Sequence, residues 1–174
     1  MRKLIVFDLD RTLIDGRYCP VRKERHGLSG STIILDAETM AIYTYLRPNV
    51  RTALRICRGD PQMSIALFSA GSRGYVYKVI EEVLLPNLDQ SFYFDAIYCN
   101  DDLEEGWVKN IGKVMIEMNA DKVLLVDDML DQCIYGADPY ENVDWFNIKP
   151  FDADMEGADR DTELLELLQC PFFY

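Results

Sequence analysis

Three short apolar runs in this sequence, at residues 4–6, 63–68 and 123–126, each end in polar side chains. Longer segments between them carry apolar residues at helical spacing, and the stripe from Val76 to Leu84 is expected to stop at Pro86. Strands that alternate with helices build a parallel sheet with helices on both faces, where ligands bind at the carboxyl ends of the strands. We therefore expect a Rossmann-like α/β fold. The polar groups at these ends are Asp8 and Asp10, then Ser69, then Asp127 and Asp128.

A β-hairpin pattern lies between the first two runs. Residues 32–35 and 40–45 are mostly β-formers around the turn-type residues 36–39, which predicts an inserted hairpin flap. The polar stretch 16–31 is expected to be a loop, whose basic cluster either faces solvent or attracts an anionic substrate. No repeat or linker divides the chain, so we expect one domain over 1–174, with the flap insertion at about 14–46. The basic cluster consists of Arg17, Arg22, Lys23, Arg25 and His26.

The composition disfavours several classes of protein. With 174 residues, of which 49% are hydrophobic, the chain is long enough to bury a core. A net charge of -12 disfavours nucleic acid and anionic membranes as partners, because both attract positive surfaces. His26 is the only histidine, which rules out a histidine metal cluster or a Ser-His-Asp triad within one chain. The five dispersed cysteines form no CxxC pair and no apolar run could span a bilayer, so we expect a soluble cytoplasmic or nuclear protein.

The spacing of Asp8 and Asp10 favours phosphoryl transfer. Side chains alternate along an extended strand, so both carboxyl groups point to one face while Leu9 points into the interior. One Asp can attack phosphorus to form an aspartyl phosphate, and the other can carry the proton of the leaving group. Acidic residues at a strand end are also ordinary turn formers, so the pair alone leaves a purely structural role open.

Other segments supply the remaining groups for this chemistry. The Ser69 hydroxyl and the amides of Ala70 and Gly71 would hold phosphate oxygens where a strand turns into a helix. Lys109, just before another helix, would neutralise the phosphoryl group together with the attacking carboxylate.

The adjacent acids Asp127 and Asp128 predict a cation site, because a pair of carboxylates after so apolar a strand needs a counter-charge. Mg²⁺ prefers oxygen ligands and bridges carboxylates to phosphate, which suits Asp8, the Asp10 backbone carbonyl and Asp128, with Asp127 beside them. Crowding of these acids is expected to raise the pKa of one carboxyl, so that Asp10 holds a proton to donate.

The order Asp-x-Asp-x-Thr, then Ser, then Lys, then Asp-Asp resembles the haloacid dehalogenase superfamily. Within it, the resemblance is closest to the branch of small C-terminal-domain phosphatases, also called NLI-interacting-factor-like. It spans nearly the whole chain. The segments that carry it are Phe7-Asp8-Leu9-Asp10-Arg11-Thr12-Leu13, Leu46-Arg47-Pro48, Leu67-Phe68-Ser69-Ala70, Val108-Lys109-Asn110-Ile111 and the tail at 161–168.

This resemblance implies a haloacid dehalogenase-like phosphatase that removes phosphate from phosphoserine or phosphothreonine in polypeptides, of which the RNA polymerase II tail is the known type. It implies Asp8 as nucleophile, Asp10 as general acid and then base, and Asp8 with Asp128 as Mg²⁺ ligands. The phosphate-binding set that it implies is Ser69 and Lys109, with Thr12 as a support of the loop.

Arg11, where the family usually has Glu, and Met129-Leu130, where it often has Ser-Pro, are departures from the pattern that bear on the substrate. Two alternatives therefore stay open. One is a phosphatase of a small phosphate ester or a nucleic-acid phosphate end. The other is a catalytically retired domain that only binds its partner.

Overall fold

The computed structural model describes residues 1–20, 28–35, 40–130 and 142–174. Its strands are β1 (Lys3–Phe7), β2 (Ile14–Arg17), β3 (Gly30–Leu35), β4 (Met40–Leu46), β5 (Met63–Phe68), β6 (Ala96–Tyr98), β7 (Lys122–Asp127) and β8 (Val143–Asn147). Within these ranges, β6, β5, β1, β7 and β8 form one parallel sheet in that spatial order. The α/β fold expected from the alternating runs is confirmed.

Helices cover both faces of this sheet. Leu4 and Val6 of β1 pack in one apolar cluster, while Ile5 and Phe7 pack in another, as the alternation of side chains along a strand requires. The helices are α1 (Val50–Gly59), α2 (Arg73–Val79), α3 (Leu85–Asn87), α4 (Ile111–Glu117) and α5 (Glu163–Leu167). The first cluster includes residues of α4, and the second includes residues of α1, α2 and α5.

The helix that starts at Arg73 does not stop at Pro86, as its apolar stripe predicted. A π-helical turn, Ile80–Leu84, joins α2 to α3, and the Leu85 amide donates to the carbonyl of Ile80. Pro86 lies in α3, which continues directly from this turn. The helical segment thus ends at Asn87, one residue after the proline.

The flap is a three-stranded antiparallel sheet in the order β2, β4, β3. The hairpin of β3 and β4 matches the prediction, but β2 lies within the stretch that was expected to be loop. Gly16 and Arg17 pair with Thr44 and Tyr43, so tertiary pairing with β4 overrides the weak strand propensity of Gly16. The turn at 36–39 and the basic residues Arg22, Lys23, Arg25 and His26 lie outside the described residues.

None of the helices in the described ranges combines the length and the apolarity that a bilayer span requires.

Candidate active site

The carboxyl ends of β1, β5 and β7 meet at one edge of the sheet. Phe7 lies in register with Leu67 on one side and with Val126 on the other. The Asp8 amide donates to the Val126 carbonyl at 2.9 Å, which fixes the start of the loop after β1. The residues that this register brings together are Asp8, Ser69 and Asp127, all of them buried.

Lys109 joins two of the predicted acids. Its Nζ donates to Asp8 Oδ1 and to Asp127 Oδ2, each at 2.6 Å, and its side chain is 1% exposed. Burial alone would lower the pKa of Lys109, but the two carboxylates raise it above the ordinary lysine value, so the ammonium stays charged. Burial raises the pKa of Asp8, and the charge of Lys109 opposes that rise.

Asp10 faces a different partner. The Tyr75 hydroxyl, from α2, donates to Asp10 Oδ1 at 2.5 Å. Burial raises the pKa of Asp10 to about 7, with the Tyr75 hydrogen bond opposing the rise and the charge of Asp8 adding to it. A carboxyl with this pKa exchanges a proton near neutral pH, which is what a general acid and base requires. Gly16 makes the contact possible, because a Cβ there would lie 2.6 Å from the Tyr75 hydroxyl.

A cavity of about 150 Å³ opens between these groups. The Gly71 amide donates to Ser69 Oγ at 3.0 Å, so the Ser69 hydroxyl proton is left to donate to a ligand. We call this space the acidic cavity. It is lined by Asp8, Asp10, Arg11, Ser69, Ala70, Gly71, Lys109, Asp127, Asp128 and Met129.

Thr12 does not line the acidic cavity. It is fully buried, and its hydroxyl has no hydrogen-bond partner within the described part of the chain. The Thr12 carbonyl accepts from Arg47 Nη1 at 3.1 Å, and the same guanidinium reaches the carbonyl of Lys149 and both carboxylate oxygens of Asp161. These contacts place the Thr12 backbone in the scaffold of the loop, and a role of its hydroxyl in phosphate binding stays a prediction.

Three acids provide oxygens suited to a divalent cation. One carboxylate oxygen each from Asp8, Asp127 and Asp128 lies within 4.8 Å of the others, and a set of oxygen donors alone suits Mg²⁺. The two Asp127 oxygens already accept from Lys109 and from the Met129 amide, so Asp8 and Asp128 are the freer ligands. Among the described residues, the Asp10 side chain is not part of this group. Only its backbone carbonyl stays in the predicted metal set.

Burial raises the pKa of Asp128 to about 6, and the charges of Asp8 and Asp127 add to the rise. A cation held here would offset that crowding of negative charge.

Arg17 is not available to attract a substrate, contrary to one interpretation of the basic cluster. Its guanidinium donates to Asp15 and Asp152 at 2.5 and 2.7 Å, and it also pairs with Asp154. The Ala153 amide donates to Asp15 as well, at 2.8 Å. Arg17 thus ties the flap to the loop after β8.

Comparison with known proteins decides the family. The sequence profile of the NLI interacting factor-like phosphatases matches residues 3–171. The chain belongs to this NLI interacting factor-like phosphatase family. The resemblance found in the sequence, including its place in the haloacid dehalogenase superfamily, is confirmed. A comparison with curated proteins gave no match.

Solved structures share the fold of this NLI interacting factor-like phosphatase. One is the fission yeast RNA polymerase II CTD phosphatase Fcp1, as a variant bound to beryllium fluoride, with a TM-score of 0.60. Another structure of Fcp1, an essential RNA polymerase II CTD phosphatase, has a TM-score of 0.58. Each is 15% identical and covers 97% of this chain. The chain spans about half of each, 51% and 49%.

Sequence analysis of this NLI interacting factor-like phosphatase missed Tyr75 and Gly16. Both lie next to Asp10 although they belong to other elements, α2 and β2, and no local sequence pattern predicts such a contact. The sequence offers only an aromatic hydroxyl early in a helix that follows the Ser69 turn, and a glycine in a polar stretch.

Proposed function

We propose that this chain is a Mg²⁺-dependent phosphoric monoester hydrolase that works through an aspartyl phosphate on Asp8. The observation that carries the proposal is the pairing of Lys109 with Asp8 at the base of the acidic cavity, next to Asp10 held by Tyr75. This arrangement gives a nucleophile, a fixed cation and a proton carrier within one small space.

In the first step, an oxygen of the Asp8 carboxylate attacks phosphorus, and the bond from phosphorus to the leaving oxygen breaks. Asp10, whose pKa of about 7 leaves it partly protonated at neutral pH, gives its proton to that oxygen. Lys109 and the Ser69 hydroxyl hold phosphate oxygens, with the amides of Ala70 and Gly71 beside them.

In the second step, water attacks the phosphorus of the aspartyl phosphate. The Asp10 carboxylate, ionised by the first step, accepts a proton from that water, and the bond between phosphorus and the Asp8 oxygen breaks. Inorganic phosphate leaves and Asp10 is again protonated. Asp127 holds Lys109 in place throughout, through its 2.6 Å contact.

Asp8, Asp128 and the backbone carbonyl of Asp10 are the groups that would hold Mg²⁺. When bound, the ion supplies positive charge that offsets the negative charge of phosphate and carboxylates.

The substrate class that we propose is phosphoserine or phosphothreonine in a polypeptide, of the RNA polymerase II tail type. The family and the names of both Fcp1 structures support it, as does a second space beside Asp10, the flap cleft. The flap cleft has a volume of about 390 Å³, and its lining includes Tyr18, Met40 and Ile42. The same cleft is also lined by Arg17, Ser72 and Tyr75, so it offers both apolar and polar contacts to the side chains of a peptide that places its phosphate beside Asp10.

The test is release of phosphate from para-nitrophenyl phosphate with and without Mg²⁺. Wild type should turn over only with Mg²⁺, Asp8→Asn should abolish turnover, and Asp10→Asn should lower it by about 100-fold or more. Asp159→Asn, an exposed acid outside the cavity, is the matched control. No turnover by folded wild type would contradict the proposal and favour a retired binding domain.

A second round separates the substrate classes. Phosphoserine peptides should exceed sugar phosphates, nucleotides and phosphate-ended oligonucleotides in kcat/KM, and the reverse order would support the small-ester or nucleic-acid alternative.

We also propose a location in the cytoplasm or nucleus. Cys19, Cys57, Cys99 and Cys170 are unpaired thiols, as expected in a reducing compartment. Imaging of the tagged protein in its own cell would test this.

A further inference from the structure

Arg11 lies at the edge of the acidic cavity, and hydrogen bonds hold both its backbone amide and its backbone carbonyl. Its amide donates to the Ile14 carbonyl at 2.6 Å, and its own carbonyl accepts from the Phe151 amide at 2.7 Å. The residue adopts a left-handed conformation with φ of 61°, which is uncommon for a side chain of this size. The position of the Arg11 Cα at the cavity is therefore set by the fold and not by contacts of its side chain.

The guanidinium of Arg11 is exposed, and it makes no hydrogen bond or ion pair within the described part of the chain. Two cationic residues line the acidic cavity, Arg11 and Lys109. Lys109 is already paired with Asp8 and Asp127. Arg17, nearby on β2, is neutralised by three carboxylates. Among the described cations of this region, Arg11 is thus the one that makes no ion pair with a carboxylate of the protein.

We propose that Arg11 is a specificity-determining residue that binds a second anionic group of the substrate, close to the phosphate that is removed. This inference rests on the proposed function, and it names the substrate class more narrowly. The favoured substrate is a phosphopeptide with a further phosphate or carboxylate near the target phosphoserine or phosphothreonine.

Arg11 lies apart from Lys109 and Ser69, the two residues that we propose hold the reacting phosphate. Lys109 and Ser69 are buried at the base of the cavity, whereas Arg11 is exposed and close enough to act on the charges of both Asp128 and Asp152. Asp152 does not line the cavity, so Arg11 extends the site outward. An arginine fork suits either a phosphate or a carboxylate, because both present two oxygens to its parallel N–H groups.

The experiment uses matched peptides that carry one target phosphoserine. In the first set, all residues that flank the target phosphoserine are neutral. In the other sets, a Glu or a second phosphoserine is placed in turn at each position from about three before to about three after the target. This range is the length of extended peptide that lies near the site. The ratio of kcat/KM for the acidic and the neutral peptide is measured for wild type, Arg11→Gln, Arg11→Glu and Arg11→Lys.

In wild type the best acidic peptide should be favoured by about 5- to 20-fold, as expected for one charge-assisted contact, and less at high salt. Arg11→Gln should bring the ratio close to one, Arg11→Glu should reverse it, and Arg11→Lys should retain part of it. These variants share the left-handed backbone cost, so they compare the charge and the hydrogen-bonding geometry of the side chain. Arg55→Gln, which removes an exposed charge from α1, should leave the ratio unchanged.

Two kinetic outcomes would overturn the inference. One is a wild type without preference for any acidic peptide. The other is an equal loss by Arg11→Gln on every substrate, including para-nitrophenyl phosphate, which would place Arg11 on the reacting phosphate itself.

Dissociation constants of the same peptides with Asp8→Asn, and with Asp8→Asn combined with Arg11→Gln, keep the two proposals apart. A ratio of dissociation constants that depends on Arg11 supports this inference even if turnover is absent, whereas absent turnover in wild type contradicts the proposed hydrolase alone. A ratio of one in both proteins would overturn the inference.

Discussion

Tyr75 orients the carboxyl group of Asp10 by donating to Oδ1, which leaves Oδ2 for the substrate. Tyr75→Phe removes that donor and should lower kcat on a phosphoserine peptide by about tenfold, with a smaller change in KM. The loss on para-nitrophenyl phosphate should be smaller, because its leaving group needs little help from a proton.

The pH profile gives a second test of this contact. A hydrogen bond to the ionised carboxyl lowers the pKa of Asp10, so its loss should move the alkaline limb of kcat on the peptide to higher pH. If Tyr75→Phe changes neither the alkaline limb of the pH profile nor the ratio of kcat on the peptide to kcat on para-nitrophenyl phosphate, Tyr75 is only a packing residue.

Arg47 secures the loop that carries Asp8 and Asp10. Its buried guanidinium pairs with Asp161 at 2.9 Å and donates to the carbonyls of Thr12 and Lys149. Arg47→Ala would leave the buried Thr12 carbonyl without this donor and the partly buried Asp161 carboxylate without its counter-charge, and it should cost about 3 to 5 kcal/mol of the free energy of unfolding, measured by urea denaturation. Arg47→Lys should recover only part of the loss, because an ammonium cannot reproduce the fork.

The exposed pair of Arg51 and Asp89 provides the control for this measurement. Arg51→Ala should change the free energy of unfolding by less than about 1 kcal/mol. Similar losses at Arg47 and Arg51 would contradict a special role for the buried network.

At the scale of elements, β2 of the flap and α2 of the main body meet at Gly16. A Cβ at this position would lie 2.6 Å from the Tyr75 hydroxyl and 3.1 Å from Asp10 Oδ1. Gly16→Ala should therefore displace the hydroxyl and lower kcat on a phosphoserine peptide in the same direction as Tyr75→Phe.

A double-mutant cycle measures whether both changes act through one contact. Gly16→Ala should cost clearly less in the Tyr75→Phe background, where the crowded oxygen is absent. Gly74→Ala, whose Cβ would meet nothing within 4 Å, is the control. Additive effects of Gly16→Ala and Tyr75→Phe would contradict the shared contact.

The sequence predicted the strands that are determined by local residue patterns. The apolar runs of β1, β5 and β7 identify buried strands without further context, and parallel register then brings Asp8, Ser69 and Asp127 to one edge. The pairing of Lys109 with Asp8 fits the predicted neighbourhood, although the order of these residues alone could not provide the 2.6 Å contacts.

What the sequence did not predict depends on distant partners. β2 contains Gly16, and it is a strand because the distant β4 pairs with it. The contacts of Arg17 with Asp152 and of Tyr75 with Asp10 join residues 135 and 65 positions apart. Propensity and periodicity carry no information at that range.

For the molecule as a whole, the crowded acids make stability depend on pH when Mg²⁺ is removed. Burial raises the pKa of Asp10 to about 7 and that of Asp128 to about 6, so the folded chain binds more protons than the unfolded chain between about pH 4 and pH 7. The free energy of unfolding should therefore fall as pH rises through this window.

At lower pH, Asp152 changes the free energy of unfolding in the opposite direction. Burial, the largest single effect, raises the pKa of Asp152, but the hydrogen bonds from the Asp154 amide and Arg17, together with the charges of Arg17 and Arg11, outweigh it and lower that pKa. The contribution of Asp152 to stability is therefore lost on acidification. In EDTA we expect the melting temperature to peak at about pH 4 and to fall towards pH 7, and Mg²⁺ should restore it at the higher pH by binding the folded state. Asp10→Asn and Asp128→Asn should each flatten the fall. A melting temperature in EDTA that rises from about pH 4 to about pH 7 would contradict this charge balance.

The aspartyl phosphate on Asp8 is the central claim, and trapping it tests the claim most directly. The 174-residue chain is mixed with Mg²⁺ and para-nitrophenyl phosphate, quenched during turnover, and reduced with borohydride, which converts an acyl phosphate of Asp to homoserine. Peptide mass spectrometry should find homoserine at position 8 and nowhere else, with none in Asp8→Asn. Homoserine at another Asp, or sustained turnover with Asp8 unmodified, would contradict the account.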